Sequence, residues 1–215
     1  MADGKRVLRE LVAAHGQTYA AEAGITLKDT PQPLYRLLVL SLLLSARIRG
    51  SVAVAAAREL HRAGLRDPRR MAGADWQERV DALGRGGYRR YDERTATQLG
   101  EGAELLTERW GGDLRRLRAE ADGEVPELRR LLQEFPGIGP AGADIFLREV
   151  QDVWPEIAPC LDRKTLAGAE RLGLPKDPDR LTKLAGDTRP AVLAAALVRA
   201  AIDDEVAEDT LRRAG

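Results

Sequence analysis

The sequence is short of features that would settle its chemistry at once. A single cysteine, Cys160, has no second thiol for an internal disulfide, and it excludes a cysteine-ligated iron–sulfur cluster, which takes four thiolates. Such sparing use of thiols fits a reducing, cytoplasmic setting. Aromatic side chains make up only 4% of the 215 residues, and no stretch alternates apolar and polar positions over strand lengths, so no sheet is expected. Long hydrophobic runs are missing as well. The most apolar segment, residues 37–44, is too short to cross a bilayer and reads as part of a buried central helix. The first ten residues are charged and lack the apolar core of a signal peptide, so no membrane partner is expected. Excess charge of either sign is absent too: 34 basic and 34 acidic side chains cancel to zero. Nucleic-acid binders usually carry a basic surplus, so any such affinity here is modest and rests on local clusters. Arg47 and Arg49 form one cluster, and Arg85, Arg89 and Arg90 surround Gly86-Gly87-Tyr88 in another. Acid gathers near the C-terminus at Asp203, Asp204, Glu205, Glu208 and Asp209.

Runs rich in Ala, Leu, Arg and Glu dominate what is present, and they predict an all-α fold. Helices are expected over residues 5–23, over 34–48 once Pro31 and Pro33 have broken the pattern, and over 51–63, 75–83, 91–109 and 113–119. A helical pair follows at 126–150, then 162–172, 178–186 and 190–213. Trp76, Trp110, Trp154 and Phe146 read as core residues, and His15 and His61 show no spacing for a metal or a catalytic triad.

Between the two members of the helical pair lies Phe135-Pro136-Gly137-Ile138-Gly139-Pro140. Paired glycines allow backbone conformations that other residues avoid, and proline suits a first helical turn because its missing N–H needs no partner there. The bare N–H groups at that helix start make an anion pocket suited to phosphate. Downstream, Asp162 precedes another helical run, where an aspartate is a routine N-cap. Together the hairpin, the Trp154-to-Ala158 segment and Asp162 resemble the helix-hairpin-helix DNA glycosylases, the superfamily of endonuclease III and 3-methyladenine glycosylase. Two shorter stretches add to the resemblance in the same order. Leu42-Leu43-Leu44-Ser45-Ala46-Arg47 is similar to the family's Leu-Leu-Ser-Ala-Gln segment, with arginine in place of glutamine. Gly87-Tyr88-Arg89-Arg90-Tyr91 is similar to its glycine-aromatic turn.

The resemblance implies two helical lobes, a central barrel over residues 30–152 and a second lobe of 1–29 with 153–215, with a cleft between them for a flipped nucleotide. It implies that the N–H groups of Gly137, Gly139 and Gly142 hold the DNA backbone. It also implies that the carbonyls of Gln133, Phe135 and Ile138 bind a monovalent cation, sodium or potassium, with no organic cofactor. Arg47, Tyr88 and Arg89 become candidates for filling the gap left by a flipped base. Asp162 becomes the catalytic carboxylate, its charge stabilising the cation that develops on the sugar as a base leaves. Replacing it with asparagine is then expected to lose about 100-fold or more in base release, with little change in DNA binding or stability. Bifunctional relatives carry a lysine where this chain has Ala141, and alanine cannot form a Schiff base. Lys164 is the one candidate for a substitute amine, but two residues into its helix it is expected to point elsewhere as a solvated charge. The expected function is that of a monomeric, monofunctional N-glycosylase acting on double-stranded DNA with a damaged base. A non-catalytic DNA-binding protein of the same fold and a helical protein-interaction module are the alternatives.

Overall fold

Proline and aspartate set most of the helix starts in this chain. In the computed structural model, which describes residues 2–215, the helices in order are α1 (Ala2–His15), α2 (Tyr19–Glu22), α3 (Pro31–Ser45), α4 (Gly50–Arg62), α5 (Pro68–Gly73), α6 (Trp76–Arg85) and α7 (Asp92–Trp110). There follow α8 (Leu114–Glu120), α9 (Val125–Leu132), α10 (Pro140–Val150), a 3-10 turn (Pro155–Ile157), α11 (Arg163–Arg171), α12 (Pro178–Ala185), α13 (Pro190–Ile202) and α14 (Asp204–Ala214). No strand occurs among the described residues, as the composition predicts. Five of these helices open on proline, whose fixed φ is ready for a helix and whose missing N–H costs nothing there. Aspartates cap several, two of the proline-led ones included: the side chains of Asp67, Asp75, Asp113, Asp177 and Asp203 each accept a backbone N–H from the first turn that follows.

Several expected boundaries move, each for a local reason. Pro31 and Pro33 lie inside the first turn of α3 instead of ahead of it. α1 stops at His15 because Gly16 follows, its N–H donating to the Val12 carbonyl at 2.9 Å, and α2 is a separate short turn. The expected helix over 190–213 is two helices. Asp203 adopts an extended backbone and turns its carboxylate onto the Glu205 N–H at 3.0 Å. α5 had no expected counterpart.

The chain forms two compact units. Ala20–Leu147 is built around α3, whose residues Leu34, Leu37, Leu40 and Leu43 are fully buried, with α4 packed against it. α7 packs on α5 and α6. The buried Arg79 has no carboxylate partner among the described residues; its guanidinium donates to the carbonyls of Met71 and Ala74, both at 2.9 Å, which closes the end of α5. The other unit joins the N-terminal residues through Tyr19 to Arg148–Gly215. Its core includes Leu8, Leu11, Leu161, Leu172, Leu181, Leu193 and Leu197. α11 and α13 touch at Gly168, where a Cβ would fall 1.9 Å from the Leu197 carbonyl oxygen.

Candidate functional site

In the unit Ala20–Leu147, residues 133–139 join α9 to α10 as the expected hairpin. Aromatic stacking and charge hold it in place. The Phe135 ring stacks on Trp110 with centroids 5.5 Å apart, Glu134 is ion-paired with Arg109 and with Arg130, and Arg129 ties α9 to Asp144 of α10 at 2.8 Å. Only one of the two hairpin glycines uses left-handed backbone. Gly137 has φ 85°, whereas Gly139 keeps an ordinary φ and a Cβ there would meet nothing within 4 Å. Gly142 is buried and lets α10 approach α3, with a Cβ 3.5 Å from that of Ser45 and 3.7 Å from the Ser41 carbonyl.

The N–H groups of Gly137, Gly139, Ala141 and Gly142 donate to no acceptor among the described residues, while the next one, of Ala143, bonds the Gly139 carbonyl at 3.0 Å. Gly137, Gly139 and Ala141 are exposed. The hairpin therefore presents unused donors at the start of an eleven-residue helix, the arrangement that favours an anion. Of the three carbonyls expected to hold a cation, that of Phe135 accepts the Ile138 N–H at 3.0 Å, and those of Gln133 and Ile138 accept no backbone bond among the described residues.

Gly142 and Ser45 being in contact, the end of α3 lies beside the start of α10, and exposed Arg47 follows two residues later. Gln98 of α7, which no sequence signal marks, lies against Gly137, with its Oε1 2.6 Å from where a Cβ would stand. Arg89 is exposed in the turn just before α7. Tyr88 needs correction as a residue that enters DNA. Its ring is 2% exposed, its hydroxyl lies 3.4 Å from Thr95 Oγ1, and burial pushes its phenol up in pKa. A ring so enclosed packs its own unit and cannot reach a duplex. Among the tryptophans, Trp110 and Trp154 are core residues as expected, but Trp76 is 39% exposed, its Nε1 donating to Thr97 Oγ1 at 3.1 Å.

Asp162 lies in the other unit and is the N-cap of α11. Its Oδ1 accepts the N–H groups of Lys164 and Thr165 at 3.0 and 2.9 Å, and its carbonyl accepts the Thr165 hydroxyl at 2.7 Å. Oδ2 is ion-paired with Arg148, a partner sequence reasoning missed. The pair is nearly enclosed, at 11% exposure for the arginine side chain and 6% for the aspartate. Three residues beyond Arg148, the buried Gln151 grips the chain two positions before Asp162. Its Oε1 accepts the Cys160 N–H at 2.8 Å, and its Nε2 donates to the carbonyls of Arg148 and Cys160 at 2.9 and 3.3 Å. Lys164 is exposed.

No family model matches the sequence, and no curated protein is similar to it in sequence. Among solved structures, the chain is similar to an endonuclease III trapped as a covalent intermediate with DNA in an estranged-adenine complex. The two are 18% identical with a TM-score of 0.47, over 75% of this chain and 71% of that one. An overlap so loose carries no argument, and the functional reading rests on the hairpin and the carboxylate themselves.

Proposed function

We propose that this chain is a DNA-binding protein of the helix-hairpin-helix glycosylase type and that it acts as a monofunctional N-glycosylase on double-stranded DNA with a damaged base. The observation that carries the proposal is the hairpin, whose exposed, unused N–H groups at Gly137, Gly139 and Ala141 open α10. They suit a backbone phosphate and position DNA without reading its sequence. A sodium or potassium ion held by the Gln133, Phe135 and Ile138 carbonyls would add positive charge beside that phosphate, and the two carbonyls lacking a backbone donor fit such a ligand. In the reaction the C1′–N bond breaks and its electrons leave with the base, positive charge develops on the sugar, and water adds to C1′, its released proton ending on the departed base. Asp162 supplies the fixed negative charge that favours this step. Ala141 has no amine, so the product is an intact abasic strand.

One observation favours a second reading, a non-catalytic DNA-binding protein: Arg148 already neutralises the carboxylate that the first reading needs. A panel of duplexes with different damaged bases, assayed for abasic sites with and without alkali and for borohydride trapping, separates the two. Strand breaks that appear only after alkali, with little trapped adduct, are the expected result. Efficient trapping would point to an amine such as Lys164. DNA binding without base release would leave the second reading, and no DNA binding at low salt would remove both in favour of a protein-interaction module.

A further inference from the structure

We propose that Arg148 and Gln151 are positioning residues for Asp162, an inference that rests on the catalytic reading of that aspartate. Asp162 sits at the end of residues 158–161, which form no helix and cannot fix a side chain by themselves. The end of α10 does so. Arg148 lies in its last turn and Gln151 is the first residue after the helix. From there Gln151 pins both backbone groups of Cys160, and Arg148 takes Asp162 Oδ2. Capping bonds take Oδ1. Each carboxylate oxygen accepts about two hydrogen bonds. Oδ1 is thus full, and the remaining lone pair of Oδ2, beside the guanidinium, is where the carboxylate can face a sugar cation or a water.

Arg148 has two opposed effects there. Its charge weakens the field that Asp162 exerts on a developing cation, and its hydrogen bond keeps the carboxylate aimed. The second effect is the larger. An enclosed carboxylate stripped of its counter-ion swings out towards water, and that change removes the interaction altogether. With the pair intact the field is reduced but correctly placed.

The test is single-turnover base release from a duplex that the wild-type protein processes, beginning with one bearing an alkylated purine, with affinity for the same duplex measured alongside. Arg148→Ala and Gln151→Ala should each lose about 100-fold in rate, the scale of a misplacement near 1 Å, while DNA affinity is unchanged. Millimolar guanidinium should restore much of the Arg148→Ala rate and none of the Gln151→Ala rate. If Arg148→Ala fails to fold, Arg148→Lys serves in its place: it keeps the charge without the planar fork and should lose about tenfold. Full activity in these variants, a faster Arg148 variant, or an Arg148→Ala rate loss that guanidinium leaves untouched would each overturn the positioning role. A wild-type protein that releases no base from any duplex would instead sink the glycosylase reading, and this inference with it.

Discussion

At the scale of the residue, Gly137 and Gly139 do different work. The backbone needs Gly137, because its φ of 85° is left-handed and a Cβ would run into Gln98. Gly139 could carry a side chain as far as its own fold is concerned, and what it provides is bare access to an N–H. Gly137→Ala should therefore cost about 1–2 kcal/mol of stability in a urea titration. Gly139→Ala should stay within about 0.5 kcal/mol of wild type yet bind duplex DNA roughly tenfold more weakly, the worth of one hydrogen bond to a charged group. Unchanged DNA affinity in Gly139→Ala would mean that no phosphate sits there. Asp162→Asn is the other informative change. The asparagine oxygen can still cap α11, but the nearly enclosed Arg148 loses its counter-ion, so stability should fall by about 3 kcal/mol instead of holding steady. Base release should fall by about 100-fold. The cap was legible in the sequence because an aspartate just before a helical run signals one locally. Arg148 was not, because it meets Asp162 only after the chain has passed through a 3-10 turn and doubled back.

Among the elements, those that begin with a strong local signal were the readable ones. The α9–α10 hairpin and α11 fall where the glycines, Pro140 and Asp162 place them. Boundaries drifted where a residue compatible with a helix ends one. Asp203 looks tolerable within a long helix until its side chain turns onto the Glu205 N–H, and six-residue α5 is too short for periodicity to register. Distance in sequence hides the packing of α11 on α13, although that contact fixes the helix Asp162 caps. With a Cβ at Gly168 only 1.9 Å from a carbonyl oxygen, Gly168→Ala must push the two helices apart. It should cost about 3 kcal/mol in thermal or chemical unfolding. A wild-type melting curve would show that the helices separate cheaply and that the close approach is not a constraint.

For the molecule as a whole, a net charge of zero conceals an uneven use of arginine. Many arginines are tied to carboxylates, whereas Arg47, Arg49 and Arg89 are exposed and have no ion-pair partner among the described residues. DNA affinity should accordingly be weak and salt-dependent, with a log-log slope of about −2 to −3 for two to three phosphate contacts. A flat salt response would exclude backbone binding. Stability should also vary with pH on the acid side. Hydrogen bonds from Arg115, from Trp110 and Arg109, from Arg130 and from Arg213 hold Asp113, Glu120, Glu127 and Asp209 respectively below the ordinary carboxylate range. Their contribution is present at neutral pH and is lost as pH falls through those lowered values. His61 acts in the same direction at milder pH. Burial, helped by Arg36 and Arg66, lowers its pKa, so below about 6.5 the unfolded chain takes a proton that the folded chain resists. Melting temperature should therefore begin to fall below that pH, and His61→Gln should remove this first step while leaving the decline at lower pH.

The lone thiol offers a clock. Cys160 is 7% exposed and stands two positions before Asp162, with its backbone held by Gln151. An alkylating reagent can reach its sulfur only when this stretch of chain lifts away, so in native buffer the labelling rate counts the openings. With a single cysteine in the sequence, every labelled molecule reports the same event. Without engineering, the chain carries a gauge of how often its candidate catalytic carboxylate is let go.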